Sequence, residues 1–310
     1  GTDIHTAEWL NSSSQGVPDS TIFNRNMYLS YGYGNTITRG NIDANGASGG
    51  IQQRMGGLSE DNLFLRDPHA IIFGSSENPA NVTISGIIRN NVILGSRDID
   101  SQPQGSGVLV YGYNWTSKGG HSKAENVSVY GNIVAHNVLG TTNFKAYNFG
   151  GSNALENIEV YDNVAYNWTR SNWPNANDRR AFELVIGGGP FKNFTIKNNI
   201  FQQPDSGFLA AANSNSFEGL TMENNTYYSA APNPPSIWSN GWFQIGSAIS
   251  SELWFNYSQE INPVIRKVGF SDPSRNIEKY MASLGKEASY EAFMKEARNQ
   301  SKYNYRVEYT

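Results

Sequence analysis

One pattern recurs seven times along the chain and constrains its fold more than any other feature. It is a turn residue, then apolar-x-apolar, two small or polar residues, an Asn and another apolar residue. The units begin at Asn35, Gly56, Asn81, Asn126, Asn157, Asn193 and Gly219. Their Asn falls at Asn41, Asn62, Asn132, Asn163, Asn199 and Asn225, and the third unit, Asn81-Val-Thr-Ile-Ser-Gly-Ile87-Ile88, has Ile in its place. Period-2 alternation on both sides of a small-residue corner gives two short strands per unit, and Gly or Asn at the corner takes the left-handed conformation closed to β-branched residues. Neither strand is stable alone. Stacking the units piles each apolar side chain onto its equivalent in the next coil and pairs every backbone group, which is a parallel β-solenoid. The recurrent Asn would then sit about 4.8 Å below the next, its amide hydrogen-bonding up the ladder.

Further strand-like runs at 27–31, 50–55, 70–73, 108–111, 144–149, 182–186 and 208–212 precede the repeats, so each coil carries three short strands. The longer spacings imply loops at 102–126, 141–155 and 167–180, gathered on one side where insertions build binding grooves. The repeat stops after Tyr228, which divides the chain into a β-helix with its N-terminal cap segment, 1–235, and an exit segment with a helical cap, 236–310. Asp272-Pro273 reads as a helix start, Ile277, Tyr280, Met281 and Leu284 keep helical spacing, and Gly285 stops it. A second helix is expected from Ser289 to about Gln300. The two helices are expected to cover the open strand edge of the last coil, the alternative being a separate partner-binding module.

Composition removes several function classes. A net charge of -4 without any Lys/Arg cluster leaves no field for nucleic acid, and no apolar run approaches the ~18 residues of a membrane span. With no cysteine, thiolate catalysis, Cys-zinc sites and disulfides are excluded. The four histidines, His5, His69, His121 and His136, lack zinc spacing.

Across about residues 26–229 the unit Asn-apolar-x-apolar-x-Gly-Asn-apolar resembles the secreted right-handed parallel β-helix proteins, the pectate-lyase-like superfamily of carbohydrate-active enzymes and phage tailspikes. Asp67-Pro68-His69 is similar to a motif of mannuronan C5-epimerases and alginate lyases, which has Tyr three residues before the Asp and an acidic residue after the His; here those positions are Phe64 and Ala70. The resemblance implies an exported protein that binds or modifies a polysaccharide.

Lyases and epimerases abstract a proton beside a uronate carboxylate, so they need cations to neutralise the carboxylate and a base near the sugar carbon. Two groups of residues suit that chemistry. Gln52 and Arg54 alternate on one strand, with Asp67 and His69 one coil later. Arg180 and Glu183 follow the 167–180 loop, with Lys145 and Tyr147 on the preceding coil; alternation with Phe182 and Leu184 inward turns Glu183 outward. Each group has a plain alternative as surface ion pairs, such as Arg66 with Asp67. A glycoside hydrolase would instead draw two carboxylates from Asp98, Asp100, Glu156, Glu159, Asp162, Asp178 and Glu183. A glycan-binding adhesin needs only aromatic loops, and Tyr111, Tyr113, Trp115, Trp168 and Trp173, with Trp238 and Trp242, supply rings for sugar stacking or for plugging loops onto the coil. No cofactor is required; Asp98 and Asp100 would suit calcium or form a solvated turn.

Overall fold

The computed structural model describes residues 25–30, 36–74, 82–97, 105–112, 114–115, 120–137, 144–151, 155–168, 182–187, 191–204, 207–231, 233, 241–300 and 303. Its strands form three parallel sheets of stacked strands, compatible with a parallel β-helix. The first contains Arg25–Leu29, Gly49–Gln53, His69–Phe73, Gly105–Gly112, Phe144–Gly151, Phe182–Ile186, Phe208–Ala212 and Phe243–Ile245, with Ser247–Ile249 folding back antiparallel at its end. The second runs from Ile37–Arg39 to Leu220–Glu223, and the third from Ile42–Ala44 to Val264–Ile265. Successive strands visit the three sheets in turn. Inward side chains such as Ile71, Val108, Phe149, Ile158, Phe194 and Phe201 stack into one continuous core.

The corner between the second and third sheets is always two residues long: 40–41, 61–62, 90–91, 131–132, 162–163, 198–199 and 224–225. Its first residue is left-handed every time, with φ of 54° to 66° at Gly40, Asp61, Asn90, Gly131, Asp162, Asn198 and Asn224. The second is an asparagine. Each asparagine donates its backbone N–H and its Nδ2–H to the Oδ1 of the next, through Asn41, Asn62, Asn91, Asn132, Asn163, Asn199 and Asn225, with Nδ2–Oδ1 distances of 2.9 or 3.0 Å. From Asn62 onward Nδ2 also donates to a strand carbonyl, as from Asn163 to Val129. The Glu260 carboxylate ends the series, accepting from Asn225 Nδ2 and from the Tyr227 hydroxyl, both at 2.8 Å.

Asn91 corrects the reading of the third unit. The register pairs Gly56 with Ser85 and Glu60 with Arg89, so that unit begins at Ser85, passes through left-handed Gly86 (φ 140°), and reaches Asn91 where the others have their Asn. The string starting at Asn81 copies the pattern early. The strand-like runs expected at 108–111 and 144–149 lie within the longer strands Gly105–Gly112 and Phe144–Gly151, which take up part of the segments also expected as loops, while the 167–180 loop is described only through Trp168. Because one corner has fixed length, all variation in coil length falls on the other two corners. Both border the first sheet.

The C-terminal helices do not cover the last coil. That role belongs to a helix not expected from the sequence, α1 (Ser251–Ser258), which seats Trp254 on Phe243 with ring centroids 4.9 Å apart and packs Phe255 beside Tyr227. After Val264–Ile265 the chain runs back along the outside of the third sheet: Val268 N–H donates to Gln202 at 2.7 Å, and Phe270 meets Tyr166 edge-on. It ends in α2 (Ile277–Ser283), capped by Asn276 rather than Asp272, and α3 (Tyr290–Arg298), capped by Ser289. Ile277, Met281, Tyr290 and Phe293 pack on Leu65 and beside Ile42, Leu63 and Leu94. Those aliphatic side chains project outward from the first coils, and covering them removes their apolar surface from water. Arg66 points the same way, 3.8 Å over the Tyr290 ring and 3.5 Å from Glu278, so it does not pair with Asp67.

Asn163→Ala would strip partners from the buried donors of Asn132, from Val129 O and from Asn199 Oδ1. Since each unpaired buried polar group costs about 1–3 kcal/mol, the expected loss is about 3 kcal/mol or more, read as a lowered urea midpoint.

Candidate active site

Residues at the start of successive strands in the first sheet, the first or second of each, form a ladder: Arg25 opposite Gly49, then His69, Ser106 and Lys145. The next outward ladder is Tyr28, Gln52, Ile72, Leu109 and Asn148. Arg25 donates from Nη1 to the Ser48 carbonyl and lies 3.4 Å from Gln52 Oε1. A Cβ at Gly49 would fall 2.6 Å from that Nη1, so glycine there makes room for the guanidinium. Gln52 Nε2 donates to Gly74 O at 2.9 Å. Arg54 sits 4.9 Å over the Tyr28 ring. Residues from five coils, over 100 positions apart in the chain, thus share one strip of surface.

This strip holds an excess of positive charge at low solvent exposure. Arg54 and His69 are each 7% exposed, Arg25, Lys145 and Tyr111 are half-buried, and Tyr28, at 41%, is open to solvent. Among the described residues neither Arg25 nor Lys145 has an acidic partner. Burial pulls Arg25 down to about 10, against the opposing influence of Tyr111 and Tyr28, and it lowers Lys145 as well. The His69 imidazole is pushed well below its ordinary value, first by burial and then by Arg25 and Lys145. It is therefore neutral at pH 7, and its buried Nδ1 meets no hydrogen-bond partner among the described residues. A neutral imidazole among cations can accept a proton from an anionic molecule that those cations hold.

Asp67 lies behind the strip. It is buried at the corner before His69, where Oδ1 accepts the Gly46 N–H at 2.6 Å, and burial plus the nearby Asp43 raise its proton affinity well above the usual carboxylate range. Asp43, raised by burial to about 6, accepts from Asn26 Nδ2 at the start of the core.

The second expected group comes apart. Tyr147 points into the core, its hydroxyl donating to the carbonyls of Asn132 at 3.0 Å and Val164 at 3.2 Å. Glu183 also points inward, fully buried, contrary to the alternation argument. In five successive strands of this sheet the outward rung is followed by two inward residues in succession: the register sets Glu183 level with Ala146, Gly107, Ala70 and Gly50, and a Cβ on Gly50 or Gly107 would strike the core residues Phe64 or Val134. Glu183 Oε1 accepts the Trp168 N–H at 3.3 Å, Oε2 has no partner among the described residues, and burial raises its proton affinity well above normal. Trp168, expected as a sugar platform, is a core residue, and Trp242 is buried with its Nε1–H on Ala231 O. Of the described members of this group, Lys145 joins the strip.

The remaining candidates are dispersed or outside the described residues. Glu156 pairs with Lys192 on the second sheet, Glu159 is exposed there, and Asp162 is a left-handed corner residue. Tyr113, Trp173, Arg180, Asp98, Asp100, Asp178 and Trp238 lie outside the described residues, as does the side chain of Trp115. Among the described residues no three acidic or histidine side chains converge on a metal position. Sequence reasoning missed Arg25 and Tyr28 because they precede the first recognisable unit; the only signal was the alternating run Arg25–Leu29. No family model, curated protein or solved structure matches the chain.

Glu183 must bind a proton to stay folded in the core, so the native state loses stability as pH rises from the ordinary glutamate range toward its raised value. Glu183→Gln removes that dependence. The variant should melt close to the wild type at pH 4 and above it at pH 8, as followed by circular dichroism.

Proposed function

We propose that this chain is a right-handed parallel β-helix of the pectate-lyase-like kind, exported, that acts on an acidic polysaccharide by abstracting a proton next to a uronate carboxylate. The right-handed winding follows from the strong preference of parallel crossovers for that hand. The reading is carried by one observation: His69, kept neutral, lies between Arg25, two coils before it, and Lys145, two coils after it, with Arg54 over Tyr28 further along the same face. In this reading the three cations hold and neutralise carboxylates spaced along a linear chain, which acidifies the adjacent C–H. His69 takes the proton, and Gln52, Tyr28 and Tyr111 line the strip. Elimination of the leaving glycosidic oxygen gives a lyase; return of a proton to the opposite face gives an epimerase. The hydrolase alternative is weakened by the core position of Glu183 and the pairing of Glu156.

Incubation with polygalacturonate and with alginate should produce unsaturated uronates absorbing in the ultraviolet, or proton exchange with deuterated water if the product is epimerised. His69→Ala should reduce turnover about 100-fold or more, the usual contribution of a general base, and Arg54→Ala should mainly raise KM. Because the proton affinity of His69 is lowered, the acid limb of kcat/KM should fall below pH 6.5. Retention of polymer without turnover would reduce the reading to a binding module, and turnover unaffected by His69→Ala would overturn the assignment of the base.

A further inference from the structure

The outer face of the third sheet carries a second, chemically different strip. Ile42, Leu63, Val92, Ile133, Val164 and Ile200 occupy one register position on six successive strands. Their neighbours Phe64, Ile93, Val134, Ala165 and Phe201 are in the core, so by alternation these aliphatic side chains face outward. The α2–α3 hairpin packs against the first rungs but leaves Ile42 and Leu63 part-exposed, and beyond it Ile133 is 42% exposed. Here the strip floors a groove of about 890 Å³, walled on one side by the returning segment 270–273 and on the other by the two-residue corners at Asp61 and Asn90.

The shape and lining of the groove select its occupant. Its floor is two side chains across, about 7 Å, and follows five strands for about 19 Å. That is narrower than an α-helix with its side chains, about 10 Å. A polyanion is disfavoured, because Arg39 is tied to Glu60 and Arg275 lies over Tyr280, while Asp61 and Asp272 stand at the rim. Sugar stacking is disfavoured too, since the rings that line the groove meet one another edge-on, Tyr166 with His136 and Phe270, and Tyr280 with Phe293. What remains is a narrow groove with an aliphatic floor and a volume usual for small-ligand sites.

We propose that this groove binds a single extended fatty acyl chain, taken up as a free ligand and not from a bilayer surface, because the aliphatic floor is recessed between its walls. The site is separate from the cationic strip of the first sheet and does not depend on the activity proposed for it. Titration of the full chain with cis-parinaric acid should give saturable fluorescence enhancement, displaced by palmitate but not by butyrate. Ile133→Asp should weaken binding at least tenfold, and Ile133→Trp, which fills the groove without adding charge, should do the same; Arg54→Ala should leave it unchanged. Vesicles of phosphatidylcholine should not sediment the protein. Absence of saturable enhancement, equal binding by both Ile133 variants and the wild type, or co-sedimentation with the vesicles would overturn the proposal.

Discussion

Every winding is tied to the next by an asparagine whose carbonyl oxygen receives two N–H groups from the winding before it. The arrangement needs a left-handed residue immediately before the asparagine and a corner of fixed length, and both conditions are met in all seven coils. A buried amide of this kind is stabilising only when fully satisfied, so the ladder enforces its own continuity: one missing rung leaves donors and acceptors unpaired on both sides. The same constraint explains the ending. The last asparagine has donors to spare and no successor, and the Glu260 carboxylate, pushed by burial up to about 7 and opposed by its bonds to Asn225 and Tyr227, receives them.

Fixing one corner frees the other two. Since both border the first sheet, that sheet is where coil length varies and where side chains from distant parts of the chain are brought into line. There the outward positions carry Arg25, Gln52, Arg54, His69 and Lys145. On the second sheet, by contrast, charges are neutralised locally: Glu60 lies between Arg39 and Arg89, and Tyr130 stacks on Tyr161 at 4.7 Å. The third sheet is aliphatic outside as well as inside and is partly covered by the returning C-terminal segment. Three faces of one scaffold thus present three different surfaces.

The ladder and the stacking were legible because nearly every unit spells them out. Three things were not legible, each for a physical reason. Glu183 and Tyr147 turn inward because the outward rung of these strands of the first sheet is followed by two consecutive inward residues, which simple period-2 alternation does not anticipate. Asn91 was hidden because its unit starts at Ser85, after a stretch that itself resembles the pattern. The course of the helical hairpin depended on outward aliphatic residues such as Leu63 and Leu65, whose need for cover appears only once the coils are stacked.

The stacking itself can be measured directly, because the chain has no cysteine and any introduced pair is unique. Ser128, Glu159 and Thr195 are register partners on three successive strands of the second sheet. Adjacent partners lie about 4.8 Å apart, within the Cα separation a disulfide accepts, whereas Ser128 and Thr195 are two rungs apart. Oxidation of the Ser128→Cys/Glu159→Cys and Glu159→Cys/Thr195→Cys pairs should therefore form intramolecular disulfides, and the Ser128→Cys/Thr195→Cys pair should not. Efficient closure of that last pair, or failure of both adjacent pairs in folded protein, would contradict the stacked-coil account.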